Sequence, residues 1–352
     1  MFDLGLVSLP VIALSALFGY AVFFDVDSVQ FHNIEVPASL EYQGYTPQVV
    51  ASRLAQQVKH IKEEARTARQ MSSFSLPDEE SPIQQLGRYY NFLTPIVAAQ
   101  ELLGLVEYSV FGDMVKTKSG LTLTVHGLAS QTGKKFSSVR TGDDPEALIR
   151  QVALDTTRFI DPYIVASYQY ERTVAEGGAD FTSTIQELKN CVHALPESDL
   201  HWVHNLWGLV NFQTKRYDDA VEQFDLALKK SPGFVLPVYN IARVQAAKGE
   251  HEAAIATLRK VLEMDSKTNY RTPHAYTLWA DLMVTLGQPD QAQELYQKAI
   301  KAGPEYGDAY ANYGKLLRTQ GKTADARILF GQALRLDPRR QDIRQNLDPL
   351  TQ

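Results

Sequence analysis

Three patterns of hydrophobic and polar residues follow one another along the chain. Residues 4–24 contain no charged side chain, residues 28–164 mix alternating with helical spacing, and the apolar positions that follow recur with helical spacing only. Alternation with a period of two predicts strands, whereas apolar residues three and four positions apart predict amphipathic helices. The chain is therefore predicted to be mainly α-helical, with an apolar helix in 1–27, a small α+β domain in 28–164 and a helical array in 165–352.

The first apolar segment, Leu4–Phe24, contains 21 residues, and Asp25 and Asp27 end it. At about 1.5 Å per residue such a helix spans about 30 Å, the thickness of the hydrocarbon core of a bilayer. We therefore predict a transmembrane helix. A cleaved signal peptide is the first alternative, but it requires Lys or Arg before the apolar core, and only Met1, Phe2 and Asp3 precede it. A buried core helix is the second alternative, which the absence of a polar face disfavours.

The orientation of this predicted helix depends on nearby positive charge. Arg53 is the first Lys or Arg after Phe24, so the positive-inside rule has little to act on. A short tail before such a helix most often stays in the cytoplasm. We predict a single-pass protein of the bacterial inner membrane whose C-terminal domains lie in the periplasm, with a cytoplasmic location as the alternative.

Alternating residues in the middle segment predict four strands. The first is Val29–Val36, with one slip in the alternation near Asn33, and Pro37 ends it. Three more strands are expected within Val106–Lys118, Leu121–His126 and Phe136–Arg140. The turns between them contain Gly120 and Gly133, which is typical of hairpins.

Helices are expected between and after these strands. Thr46-Pro47 and Asp144-Pro145 each combine an N-cap residue with proline at the first helical position. A further helix over Ile83–Leu103 is expected to be interrupted at Pro95. These elements predict a small, mainly antiparallel sheet with helices on one face. The arrangement, with its Gly44-Tyr45-Thr46-Pro47 helix start, resembles the small α/β domains of TolB-amino-terminal-like and FlgO-like bacterial envelope proteins, a likeness that implies a fold and no function.

Small and bulky residues recur together in units of 34 residues in the C-terminal half, with a four-residue insertion around Tyr270-Arg271-Thr272 between the second and third units. In the first unit they are Gly208, Ala220, Phe224, Ala227 and Pro232. The corresponding residues in the next three units are Ala242, Ala254, Leu258 and Val261, then Ala280, Ala292, Tyr296 and Ala299, then Gly314, Ala326, Phe330 and Ala333. This pattern resembles the tetratricopeptide repeat.

The resemblance implies an α-solenoid in which each repeat contributes two packed helices, A and B. Four clear repeats are predicted, with one degenerate repeat before them that begins at Asp161-Pro162 and contains Cys191. On this interpretation Cys191 is a packing residue. A short polar helix, Gln341–Leu347, is expected to cap the array, as the ends of solenoids require.

The resemblance also implies that helix A of each repeat lines the concave face, where partners bind. Aromatic anchors and hydrogen-bonding groups on this face suit an extended peptide or a helix. The candidate partner-binding residues are Trp202, Asn205, Phe212, Tyr239, Arg243, His274, Asp281, Lys315 and Arg318. The alternative is that Trp202 and Phe212 only pack against the degenerate repeat.

A carboxylate clamp of the kind that some tetratricopeptide proteins use to bind chaperone tails is not present. Asn240 matches one of the clamp's asparagines. Asn205 and Leu209 stand where the clamp has Lys and Asn, and His274 and Leu278 replace its third-repeat basic pair. We therefore exclude a chaperone-tail adaptor of this type.

Composition and motifs exclude several other classes of protein. The chain has 35 Lys+Arg against 41 Asp+Glu, a net charge of −6, so we predict no nucleic-acid partner. Its one cysteine can form no internal disulfide, and no sequence signature of a nucleotide-binding loop, zinc protease or serine hydrolase is present. His201 and His204 lack a third metal ligand, and Asp78-Glu79-Glu80 and Lys134-Lys135 are interpreted as solvated loops. No catalytic residue, cofactor or metal is predicted.

The leading functional hypothesis is a membrane-anchored, non-enzymatic scaffold that binds a protein or peptide partner through its repeats. The alternative is a ligand-sensing or enzymatic domain in 28–164 that the repeats regulate. A third possibility is an assembly factor for glycans or secretion, which differs from the scaffold only in its partner. A pocket with shifted titratable groups in 28–164 would favour the second hypothesis.

Overall fold

The computed structural model describes residues 15–76, 81–89, 93–118, 120–266 and 270–347. Its contacts divide the chain into two compact units, Met1–Cys191 and Val192–Gln352. The sequence-based boundary, by contrast, lies between residues 164 and 165. The predicted acidic loop at 78–80 and most of the predicted transmembrane helix, residues 4–14, lie outside the described residues.

The first unit contains one four-stranded sheet with the strand order β1-β2-β3-β4. β1 pairs with β2 in parallel, and β2, β3 and β4 form an antiparallel meander. The register of β1 against β2 shifts between Phe31 and Ile34, which is where the sequence predicts a slip. The strands are β1 (Val29–Glu35), β2 (Tyr108–Thr117), β3 (Gly120–Ala129) and β4 (Lys135–Gly142).

Three helices of this unit begin where the sequence places N-caps. The side chain of Thr46 accepts a hydrogen bond from the backbone N–H of Val49, and Asp144 and Asp161 cap two later helices in the same way. The helices are α1 (residues 15–24), α2 (Ala38–Glu41), α3 (Pro47–Glu64), α4 (Pro82–Tyr89), α5 (Leu93–Leu102), α6 (Pro145–Ile160), α7 (Pro162–Ala175) and α8 (Thr182–Ala194).

The predicted interruption at Pro95 is wrong. Pro95 lies in the first turn of α5, where a backbone N–H would have no partner within the helix, so proline costs little there. Among the described residues, no helix is both long enough and apolar enough to cross a bilayer.

An ion-pair network joins the sheet, α6 and α8 in the first unit. The guanidinium of Arg158 donates to Glu187 of α8 at 2.8 and 3.0 Å and to Asp155 at 2.7 Å. Asp155 also accepts from Ser138 of β4 at 2.7 Å. Cys191 is buried at the end of this unit, and burial raises the pKa of its thiol to about 12, which supports a packing role.

The second unit is a series of helix pairs that match the predicted repeats. Consecutive helices pack as α9 with α10, α11 with α12, α13 with α14, and α15 with α16. The helices are α9 (Leu200–Gln213), α10 (Tyr217–Lys230), α11 (Val235–Ala247), α12 (His251–Met264), α13 (Thr272–Thr285), α14 (Pro289–Ala302), α15 (Gly307–Thr319), α16 (Thr323–Leu336) and α17 (Gln341–Leu347). α17 occupies the predicted position of the capping helix and buries Ile343.

A contact between a glycine and an aromatic ring sets the spacing of the helices within a repeat. A Cβ added to Gly208 of α9 would lie 2.4 Å from the ring of Phe224 in α10. The same contact recurs between Gly314 and Phe330, where the added Cβ would lie 2.8 Å from the ring. Both rings are completely buried, so the glycines allow the two helices to approach closely.

We predict that Gly208→Ala destabilises the second unit, by roughly 1–3 kcal/mol, because the new methyl group overlaps Phe224. Gly331→Ala is the matched control. Gly331 also lies inside a helix, but its added Cβ would meet nothing within 4 Å, so alanine should stabilise this helix by up to about 1 kcal/mol. Urea unfolding followed by tryptophan fluorescence tests this, because all three tryptophans lie in the second unit. Equal effects of the two substitutions would contradict the prediction.

Candidate functional site

The nine candidate residues lie on the first helices of the four repeats, α9, α11, α13 and α15. Each of these helices contacts the next one in the series. Their candidate side chains form what we call the A-helix surface, which consists of Trp202, Asn205 and Phe212 on α9, Tyr239 and Arg243 on α11, His274 and Asp281 on α13, and Lys315 and Arg318 on α15.

Four side chains link α9 to α11 on this surface. The amide of Asn240 donates to the side-chain oxygen of Asn205 at 3.0 Å. Arg243 in turn donates to the side-chain oxygen of Asn240 at 3.2 Å, and its guanidinium carbon lies 4.7 Å from the ring centre of Phe212. The guanidinium is thus held in one place by a hydrogen bond and a cation–π contact.

A row of aromatic rings continues the A-helix surface from α11 to α15. The rings of Tyr239 and His274 lie 6.0 Å apart, and those of His274 and Tyr306 lie 4.1 Å apart. The guanidinium carbon of Arg271 lies 5.8 Å from the ring centre of Tyr239. Within the described structure, Nδ1 of His274 and Nε of Arg271 are buried atoms without a hydrogen-bond partner.

Asp281 is the centre of a third group of contacts, after the Asn205–Asn240–Arg243 group and the row of aromatic rings. Its carboxylate accepts hydrogen bonds from the hydroxyl of Tyr296 at 2.5 Å and from the amide of Asn312 at 3.2 Å. Lys315 donates to the side-chain oxygen of Asn312 at 3.4 Å. Arg318 lies half-buried one turn further along α15.

Trp202 is separate from these clusters. Its ring centre lies 4.6 Å from that of Phe234, the residue that precedes α11. Trp202 therefore packs between the first two clear repeats.

Two family models match the sequence that forms most of this surface. Both are described as tetratricopeptide repeat, and they cover residues 235–305 and 277–340. This part of the chain consists of tetratricopeptide repeats. The prediction of tetratricopeptide repeats from the sequence is confirmed for residues 235–340. Tetratricopeptide repeats indicate a protein-interaction scaffold, and proteins built from them are typically not enzymes.

The similar proteins match only part of this chain, and the chain spans 12% of the curated relative that it matches. Protein O-mannosyl-transferase TMTC2 of Homo sapiens is 23% identical over 101 residues, which are 29% of this chain and 12% of that protein. The APC/C hetero-tetramer Cut9-Hcn1 is 12% identical at a TM-score of 0.45, over 58% of this chain and 39% of that chain. A thermophilic TPR protein of Thermus thermophilus is 14% identical at a TM-score of 0.43, over 54% of this chain and 97% of that chain.

Burial shifts the charge state of two groups on the A-helix surface of the tetratricopeptide array. Burial raises the pKa of Asp281 to about 6, although the hydrogen bonds from Tyr296 and Asn312 act in the opposite direction. Burial, assisted by the positive charge of Arg271, lowers the pKa of His274 to about 4. At neutral pH His274 is therefore uncharged, and Asp281 is close to its titration range.

Four further residues extend this surface because each contacts one of the nine candidates, and the sequence-based set lacks them: Asn240, Arg271, Tyr306 and Asn312. The repeat pattern could have identified two of them, because they are equivalent to residues of another repeat. Asn312 is at the same place in its repeat as Asn240, and Tyr306 is at the same place as Phe234. Arg271 belongs to the insertion between two repeats, and no periodic signal identifies it.

The histidine pair that the sequence singles out is engaged in other contacts. Nδ1 of His201 lies 2.7 Å from the backbone oxygen of Ser198, and Nδ1 of His204 lies 2.9 Å from the side-chain oxygen of Gln223. Among the described residues, no group of three or more His, Cys, Asp or Glu side chains could hold a metal ion.

The first unit contains a cavity of about 690 Å³ beside β1, α3 and α5. Asp25, Asp27, His32 and Glu101 contribute its titratable side chains. Glu101 accepts a hydrogen bond from Ser109 at 2.8 Å and lies 3.0 Å from His32. Burial raises the pKa of Asp27. This cavity is the feature that the ligand-sensing hypothesis requires.

We predict that Asp281→Asn changes the pH dependence of stability. The stability that neutral Asp281 contributes is fully present below pH 3.8 and is lost as the pH rises through about 6. The stability of the variant relative to the wild type should therefore rise by on the order of 2 kcal/mol between pH 4 and pH 7. Urea unfolding at each pH measures this difference.

The comparison must be between variant and wild type at each pH, because His274 acts in the opposite direction. Its contribution is present above pH 6.5 and is lost as the pH falls through about 4. Asp325→Asn, at an exposed position of α16, is the control. A difference for Asp281→Asn that does not change with pH would contradict the prediction.

Proposed function

We propose that the protein is a membrane-anchored, non-enzymatic scaffold whose A-helix surface binds an acidic segment of a protein partner. This proposal rests on what surrounds the guanidinium groups of Arg243 and Arg271. Each guanidinium lies over an aromatic ring, and no described carboxylate lies within 4 Å of either. The surface thus presents two oriented guanidinium groups that form no ion pair with a described residue.

The chemistry of arginine explains why this arrangement suits a polypeptide with carboxylates. A guanidinium is planar and always charged, and it binds carboxylates through two parallel hydrogen bonds. Stacking on a ring restricts its rotamers before the partner arrives, which reduces the entropy lost on binding. The neighbouring acid Asp308 is already paired, since Arg340 donates to it at 2.6 Å. The aromatic rings of Phe212 and Tyr239 provide apolar contact beside the cations.

Membrane anchoring is supported by the exposure of α1. Residues 15–18 and residue 20 of this helix are exposed although the segment has no charged side chain, and Ala21 and Val22 are its first buried residues. Exposed apolar surface costs about 25 cal/mol per Å² in water. A bilayer around the segment that begins at Leu4 removes this cost, which is why we propose an anchor here.

We predict that a photo-crosslinking amino acid at Tyr239 captures a protein partner in cells, whereas the same group at Lys260 captures none. Lys260 is exposed on α12, the second helix of its repeat. With the captured protein purified, Arg243→Gln and Arg271→Gln should each weaken its binding by about tenfold or more, since charge-assisted hydrogen bonds contribute about 1.5–3 kcal/mol. A titration with the purified partner measures the loss.

Arg259→Gln is the matched control for these substitutions. Arg259 also lies over an aromatic ring, 5.2 Å from the centre of Trp279, but it is on α12. Equal losses for all three variants would contradict a specific role of the A-helix surface. Capture of no protein, together with stabilisation of the first unit by a small molecule, would favour the ligand-sensing function of the cavity instead.

We propose further that the anchor lies in a bacterial inner membrane with the array in the periplasm. The sequence after Phe24 contains no Lys or Arg before Arg53, so it lacks the positive charge that would keep this side of the anchor in the cytoplasm. Protease added to intact spheroplasts should then digest the array, and detergent-lysed spheroplasts provide the control for complete digestion. Protection of the array until detergent is added would contradict the proposed orientation.

A further inference from the structure

Helix α5 has one buried side and one exposed apolar side. Ile96 and Gln100 are buried at 6% and 1% exposure. Pro95, Ala98 and Leu102 are exposed and are spaced three and four residues apart, so they share one face of the helix. Leu102 is 88% exposed, and the one charged residue of α5, Glu101, has its carboxylate on the sheet, against His32 and Ser109.

Gln100 fixes α5 to the end of α1. Its side-chain amide donates to the backbone oxygen of Ala21 at 2.9 Å and to that of Asp25 at 3.0 Å. Carbonyl groups in the last turn of a helix lack partners within the helix, so this buried amide satisfies groups that would otherwise be unpaired. Ala21 and Val22 also pack against Ile96. The two helices are therefore held together at the end of the apolar segment.

This attachment determines the level of α5 relative to the proposed anchor. Ala21 lies three residues before Phe24, which is about 4.5 Å along a helix. α5 is thus held within about one helical turn of the point where the uncharged segment ends, the level expected for the membrane–water interface. Tyr20, Phe23 and Phe24 are exposed at this level, and aromatic rings are typical of that interface.

The segment around α5 has little charge that would oppose contact with lipid. Between Ile83 and Leu105 the sequence contains two charged residues, Arg88 and Glu101. Glu101 is directed towards the sheet, where it bonds with His32 and Ser109. Leu103 is 53% exposed, which extends the apolar surface beyond Leu102.

We propose that the exposed face of α5 (Pro95, Ala98 and Leu102) lies against the bilayer surface next to α1, as a second membrane contact. This inference rests on the proposed membrane anchor. Lipid is the occupant that the structure favours, because the face continues from the end of an uncharged helix and carries no group that would specify a protein.

A fluorophore at position 102 tests the contact. The native thiol is first removed by Cys191→Ala. The fold should tolerate this change, because alanine occupies the corresponding buried position in other repeats, as Ala227, Ala299 and Ala333. Leu102→Cys or Ala98→Cys then carries an environment-sensitive label in the full chain, reconstituted in phosphatidylcholine vesicles. Val139→Cys is the control, because Val139 is 52% exposed on β4, at the opposite edge of the sheet from β1.

The expected result is that spin-labelled lipid quenches the labels at 98 and 102, and that iodide quenches them several-fold less than the label at 139. If the protein floats with the vesicles but iodide quenches 102 and 139 equally, the inference fails and the anchor stands. Protection of 98 and 102 from both quenchers would mean that protein covers the face, which also overturns the inference. If the protein does not float with vesicles, the anchor and the inference fail together.

Discussion

The close approach of the two helices within each repeat depends on a position that has almost no side chain. Gly208 and Gly314 allow the rings of Phe224 and Phe330 to lie directly on the backbone of the facing helix. Ala242 and Ala280 occupy this position in the other two repeats and are completely buried. Because this spacing repeats, the first helices of successive repeats lie side by side. Residues about one repeat apart, such as Asn205 and Asn240, can then form hydrogen bonds across them.

The same geometry gives the A-helix surface its chemical character. Side chains from adjacent repeats hold one another, so that Arg243 is fixed by Asn240 and by the ring of Phe212. A surface built in this way loses little conformational freedom when a partner binds. Burial also decides which of its groups are charged, since His274 is neutral at pH 7 and Asp281 titrates near pH 6. At pH 7 Asp281 is therefore mostly ionised, and Arg243, Arg271, Lys315 and Arg318 carry the positive charge of the surface.

In the first unit, local pattern and long-range contact contribute differently. Alternation predicted the strands, and the caps at Thr46, Asp144 and Asp161 predicted where helices begin, because both depend on neighbouring residues. The parallel pairing of β1 with β2 could not be read from spacing, since it depends on a connection of more than 70 residues, from Glu35 to Tyr108. The position of Pro95 was also misread, because proline is compatible with the first turn of a helix as well as with a break.

The sequence by itself determined the repeats, the helix positions and the candidate surface, because all three follow from residues at fixed separations along one chain. Only the tertiary structure decided which of these residues meet. In the structure the guanidinium of Arg271, which belongs to the insertion, lies over the ring of Tyr239. Trp202 packs against Phe234 and takes no part in the described contacts of Arg243 and Arg271. The tertiary structure also placed the amide of Gln100 on the carbonyl groups that end α1. The physical reason is that hydrogen bonds, ring contacts and burial depend on distances in space, which packing sets and periodicity does not encode.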